Sequence, residues 1–212
     1  MKKGFSEFIL GIIMYGLFIP EFILYFTVGR ESILKSYIAV LLFFFFTIII
    51  YTFIPILVEK KYNISKNDNS TLLKKNIAIC LAIVFIVVKM IFYKQCEPKF
   101  MSEFIHFYQS SGFVGIIGAI IQHMYYFAEM VLCCLILRLF QKSGELIFKY
   151  RNFPYGGVVL GILWGLIIHS ISQGISIGIY MIILSLVWGI IYIVSGRNKT
   201  LTYILMTLMF II

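Results

Sequence analysis

The chain has 212 residues, 61% of them hydrophobic and only 13% charged, with a mean hydropathy of +1.00. Soluble globular domains carry roughly 45–50% apolar residues, so this composition excludes one and points to a lipid-embedded protein. The formal net charge of +9 does not imply nucleic acid, because the basic residues sort by membrane side.

A helix needs about 20 apolar residues to cross a hydrocarbon core of about 30 Å. The apolar runs are 5–28, 33–58, 76–93, 112–140, 155–172, 175–194 and 200–212, the last short enough to cross only part way. The first comes after Met1-Lys2-Lys3, but it is too long for a signal peptide, carries Glu21 and ends at Thr27-Val28-Gly29-Arg30 without a small-x-small cleavage site. It is therefore expected to be a retained span. With the N-terminus cytoplasmic, inner segments hold Lys2, Lys3, Lys60, Lys61, Lys66, Lys74, Lys75, Arg138, Lys142, Lys149, Arg151, Arg197 and Lys199. Outer loops hold only Arg30, Lys35, Lys94 and Lys99, and the asymmetry fits the positive-inside rule. The expectation is an all-α, multi-pass bundle of about seven spans in the cell membrane, N-terminus cytoplasmic, in contact with lipid. It forms one domain over 1–212, and the polar stretch 63–70 is an inner loop rather than a linker. Cys80, Cys96, Cys133 and Cys134 show neither a metal-type spacing nor a disulfide framework.

Five ionisable groups lie inside the runs: Glu21, Lys89, His123, Glu129 and His169. Such groups are costly in hydrocarbon and mark functional candidates. Glu21, after Pro20, is expected near the outer headgroups, Lys89 as a snorkelling anchor, and His123 as a hydrogen-bonded packing residue. Glu129 lies about 16 Å and His169 about 21 Å from the inner ends of consecutive antiparallel spans, at 1.5 Å per residue. Both depths fall near mid-bilayer. Contact between them is expected, either as a reactive pair or as a plain hydrogen bond that fixes helix register. Gly157, Gly161, Gly165, His169 and Gln173 recur every four residues, predicting one slanted ridge for close helix packing. Gln122, Tyr125 and Glu129 share a helix face, with Tyr126 beside it. In the loop after this helix, Glu145 is read as part of a solvated basic face.

The segments Tyr125-Tyr126-Phe127-Ala128-Glu129, Trp164-Gly165-Leu166-Ile167-Ile168-His169 and Trp188-Gly189-Ile190-Ile191-Tyr192-Ile193-Val194-Ser195-Gly196 resemble the CAAX-protease and bacteriocin-processing (CPBP, or Abi) family of intramembrane proteins. The resemblance covers residues 120–212, a CPBP-like core, while 1–119 match only as generic spans one to three and an outer loop. It implies an intramembrane endopeptidase in which Glu129 deprotonates a water and His169 is its partner. The family's motifs are incomplete here. A single glutamate stands at 129, Cys133 replaces the arginine four residues on, Gly165 replaces a phenylalanine, and no third histidine motif comes after them. Gln122, His123, Tyr125 and Gln173 are the candidates for the missing donors. No metal or cofactor is expected, since a catalytic zinc needs three clustered ligands. The alternatives are a catalytically inactive relative acting as an immunity, chaperone or partner protein, and a small-solute transporter subunit.

Overall fold

In a computed structural model, residues 4–28, 37–62, 64, 69–93 and 98–212 are described, and every regular element among them is helical. Lys2, Lys3, Arg30, Lys35, Lys66, Lys94 and Cys96 lie outside the described residues, as does most of the polar loop 63–70. Cys80, Cys133 and Cys134 are free thiols.

The chain begins with α1 (Phe5–Tyr15), a 3₁₀ turn (Gly16–Phe18) and α2 (Ile19–Val28). Next come α3 (Tyr37–Tyr62), with Pro55 inside it, and α4 (Leu72–Tyr93). The long α5 runs from Lys99 to Phe148 but is broken at Gly112, where φ is 59° and ψ is −139°. That conformation is open essentially to glycine alone. The chain reverses there, so the arm 99–111 folds back on the limb Gly115–Phe148. A Cβ on Gly115 would lie 1.9 Å from the Phe107 carbonyl oxygen, so both glycines are needed for the tight return.

After the turn at 149–154 come α6 (Tyr155–Leu160), a π-helical stretch (Gly161–His169) and α7 (Ser170–Gln173). Gly174, at φ 97°, then reverses the chain into α8 (Ile175–Val194). The final helix α9 (Lys199–Ile211) is capped by Asn198, whose side chain accepts from the Leu201 amide at 2.8 Å. Among the described residues, five stretches are long and apolar enough to cross a membrane: Phe5–Ile23, Leu42–Tyr62, Gly115–Phe148, Tyr155–Gln173 and Ile175–Val194. α9 is apolar but shorter, as its sequence run suggests.

The limb of α5 is the hub. Of its most apolar window 72% is buried, against 17% for each of the first two crossing stretches, so the N-terminal helices form an outer layer. α1 runs antiparallel to the hub: Ser143 donates to the Gly4 carbonyl at 2.8 Å, Lys142 pairs with Glu7 at 3.1 Å, and Phe8 meets Phe140. On the other side Gly157 and Gly165 sit against the α8 backbone. A Cβ on Gly157 would lie 2.6 Å from the Ser185 oxygen, and one on Gly165 would lie 2.8 Å from the Ile182 nitrogen. The expected glycine seam is therefore present over 157–165. His169 leaves it, because the π-helix adds a residue to each turn and rotates the residues beyond it.

The basic residues gather at one end, called here the basic end. Arg138, 2% exposed, pairs with Glu59, which also pairs with Lys199, joining α3, α5 and α9. Arg197 donates to Glu145 from Nη2 at 2.8 Å and from Nε at 3.1 Å. Gln141 donates to Glu145 and to the Phe153 carbonyl while accepting from the Gly156 amide. Glu145 is thus a structural acceptor in the clamp between α5 and α9, and not the freely solvated charge expected from sequence.

Candidate functional site

The two carboxyl groups of the core come from the first and third crossing stretches. Glu21, on the first turn of α2, accepts from Tyr51 at 2.7 Å and from Tyr125 at 2.5 Å. Glu21, expected near the outer headgroups, is thus held by two tyrosine hydroxyls of the bundle. The 3₁₀ turn carries the chain inward at Phe18, which is 4% exposed, and two tyrosine hydroxyls receive the carboxylate. Glu129, one helical turn along from Tyr125, is 6% exposed and close enough to Glu21 for the two charges to interact. Like charges in an apolar core repel strongly, so the pair requires the donors and the cation around it.

The Trp164 indole N–H faces Glu129 and favours its carboxylate without closing a hydrogen bond of full geometry. The same indole meets the His169 ring edge-on, with centroids 4.7 Å apart. Residues 164 and 169 differ by five, which would put them about 140° apart around an α-helix. In the π-helical stretch, whose hydrogen bonds run from i to i+5, the wider turn narrows that angle, and the two rings meet. The wider turn frees the Leu163 carbonyl toward its side, where Tyr15 donates to it at 2.7 Å. No hydrogen bond joins Glu129 to His169; both instead border Trp164. His169 is 8% exposed, and neither of its ring nitrogens has a partner of good geometry among the described residues. Gln173 approaches the ring without closing a full hydrogen bond.

Lys99 completes the cluster. Sequence reasoning assigned it to an outer loop, yet the reversal at Gly112 returns the arm into the bundle. Its Nζ lies 4.1 Å from the ring centroids of both Tyr126 and Phe210, and its charge is felt at Glu129 and at His169. Phe210 is near the end of α9, so the start of the arm and the end of α9 meet here, over Tyr126 and Trp164. A glycine between two apolar runs was the only sequence signal for this return.

The remaining candidates form a second layer along the arm. Gln122 donates to the Tyr126 hydroxyl at 2.5 Å, and Tyr126 donates to Glu103 at 2.7 Å. His123 bonds the Ala119 carbonyl at 2.7 Å through Nδ1 and packs on Phe104, with Nε2 3.9 Å from Glu103. Gln122 and His123 therefore hold the arm down, while Tyr125 serves Glu21. Among the described residues no three His, Cys, Asp or Glu side chains gather as a metal would require.

No family model, curated protein or solved structure matches this chain. Its function is therefore inferred from its own residues.

Proposed function

We propose that the chain is an intramembrane endopeptidase of CPBP type, with seven crossings and a cytoplasmic N-terminus, acting on a membrane-associated peptide. The observation that carries this reading is the position of Lys99. A water-activating carboxylate makes a weak hydrolase without a group to hold the charge that develops on the carbonyl oxygen, and the Lys99 ammonium, over the Tyr126 and Phe210 rings, is a cation whose field reaches Glu129 and His169. In the proposed reaction Glu129 takes a proton from water, and the water oxygen forms a bond to the scissile carbonyl carbon. The oxyanion faces the Lys99 ammonium. Collapse of the intermediate breaks the C–N bond, Glu129 returns the proton it took from water to the leaving amine, and the His169 ring orients that amine. Glu21, held by Tyr51 and Tyr125, fixes the electrostatic setting of Glu129 and stands in for the second glutamate that the motif lacks.

The test is cleavage of a co-expressed library of membrane-anchored peptides by protein in lipid nanodiscs, read by mass spectrometry of new termini. Glu129→Gln and Glu129→Ala should both abolish cleavage while the protein still accumulates. Lys99→Gln should slow it by about 10²–10³.

The Trp164 ring favours a second reading. It stands between Glu129 and the His169 ring, where a direct contact of the two would otherwise form, as suits a non-catalytic immunity, chaperone or partner protein. On that reading Glu129→Gln, which keeps the acceptor to Trp164, leaves the cellular phenotype intact, and no library peptide is cut by the native protein.

A further inference from the structure

At the end of the bundle opposite the basic clamp, α4 and α8 diverge and leave an open groove of about 390 Å³. Its walls are apolar: Phe85 from α4 faces Ile179 and Ile183 from α8. The Phe85 and Tyr180 rings are tilted 31° to each other, with centroids 6.5 Å apart. At one edge stands Lys89, its Nζ 5.7 Å from the Tyr180 ring centroid, with the Ser176 hydroxyl also on the lining. Lys89 makes no ion pair among the described residues. Among the described residues, no acidic side chain lines the groove.

An apolar trough with a cation at its mouth that no described carboxylate pairs matches one kind of membrane molecule: an anionic group carrying an alkyl chain. Lys89 lies four residues from the end of α4, about 6 Å along the axis. That is the depth at which a lysine stem lies in the acyl region while its ammonium meets phosphates. We infer that this groove is a specific site for an anionic phospholipid, its phosphate on Lys89 and Ser176 and one acyl chain between Phe85 and Ile183. The site does not depend on the peptidase reading. Its Tyr180 wall belongs to α8, whose other face carries the glycine seam, so a bound lipid braces α4 against α8 where the protein itself leaves a gap.

The experiment uses delipidated protein in neutral detergent, titrated with phosphatidylglycerol, phosphatidylcholine or inorganic phosphate. Adducts are counted by native mass spectrometry, and thermal unfolding is measured in parallel. Phosphatidylglycerol should add as a single retained adduct and raise the unfolding temperature, while phosphatidylcholine and inorganic phosphate do neither. Lys89→Gln should weaken retention about fivefold, the worth of one lysine at an anionic headgroup. Lys89→Arg should preserve it. Ile183→Trp, which fills the trough from a lipid-facing position, should displace the lipid with Lys89 intact. Equal retention of phosphatidylglycerol by native protein, Lys89→Gln and Ile183→Trp overturns the proposal, and so does equal retention of phosphatidylcholine. Stabilisation by inorganic phosphate alone overturns the acyl-chain assignment and with it the lipid.

Discussion

Glu21 and Glu129 are held by different means, and the difference predicts how each responds to change. Glu21 depends on two tyrosine hydroxyls, so Tyr51→Phe and Tyr125→Phe each remove one donor from a partly buried carboxylate. A loss of about 0.6–2 kcal/mol is expected for each, read as a lower midpoint in detergent unfolding. The double variant should lose more than the sum, because it leaves Glu21 without either hydroxyl donor. Counting along two helices was enough to bring Glu129 and His169 into one neighbourhood, although Trp164 stands where their direct contact was expected. The Glu21 and Lys99 contacts were not legible, for a physical reason: they join residues far apart in sequence and depend on the 3₁₀ turn before α2 and the reversal at Gly112.

Among the elements, the arm 99–111 and the glycine seam are the most sensitive to single changes. A Cβ on Gly112 meets no atom within 4 Å, so the cost of Gly112→Ala is backbone strain alone, about 1–3 kcal/mol. That penalty falls on the hairpin: cross-linking between cysteines placed at 103 and 126 should slow markedly in the alanine variant, with the glycine parent as control. Gly157→Ala acts on packing, since its Cβ would meet the Ser185 oxygen and the Gly189 Cα, both backbone. The two helices must separate, costing about 1–3 kcal/mol and lowering the yield of folded protein. At the basic end, Glu59→Gln leaves Arg138 buried without its counter-charge, and a loss of about 3–5 kcal/mol is expected in the same unfolding assay. The seam was foreseeable from glycines spaced by four, whereas the clamp was not, because Glu59 and Arg138 are 79 residues apart.

At the scale of the molecule, an all-helical membrane architecture is dictated by composition and run length alone, since a backbone in hydrocarbon must satisfy its own hydrogen bonds. The arrangement around α5 is not. Nothing in the first three runs marks them as an outer layer, because a helix facing lipid and a helix facing protein are equally apolar. The proposed orientation is testable with single cysteines in a cysteine-free background. A membrane-impermeant maleimide applied to intact cells should label position 176 and leave position 149 unlabelled until the cells are opened. The reverse pattern would invert the topology and place the lipid groove in the other leaflet.

The π-helical stretch at 161–169 acts as a phase shift written into one helix. Before it, the glycines present their side to α8; after it, the same spacing of four points elsewhere, and His169 is handed to Trp164. The two tasks of this helix, holding a neighbour close and offering an imidazole, would otherwise compete for one stripe. Excising Ile162, which is 47% exposed and faces outward, would restore ordinary winding and swing His169 back in line with Gly165. A single deleted residue would then separate the imidazole from its indole while leaving every side chain of the cluster chemically unchanged.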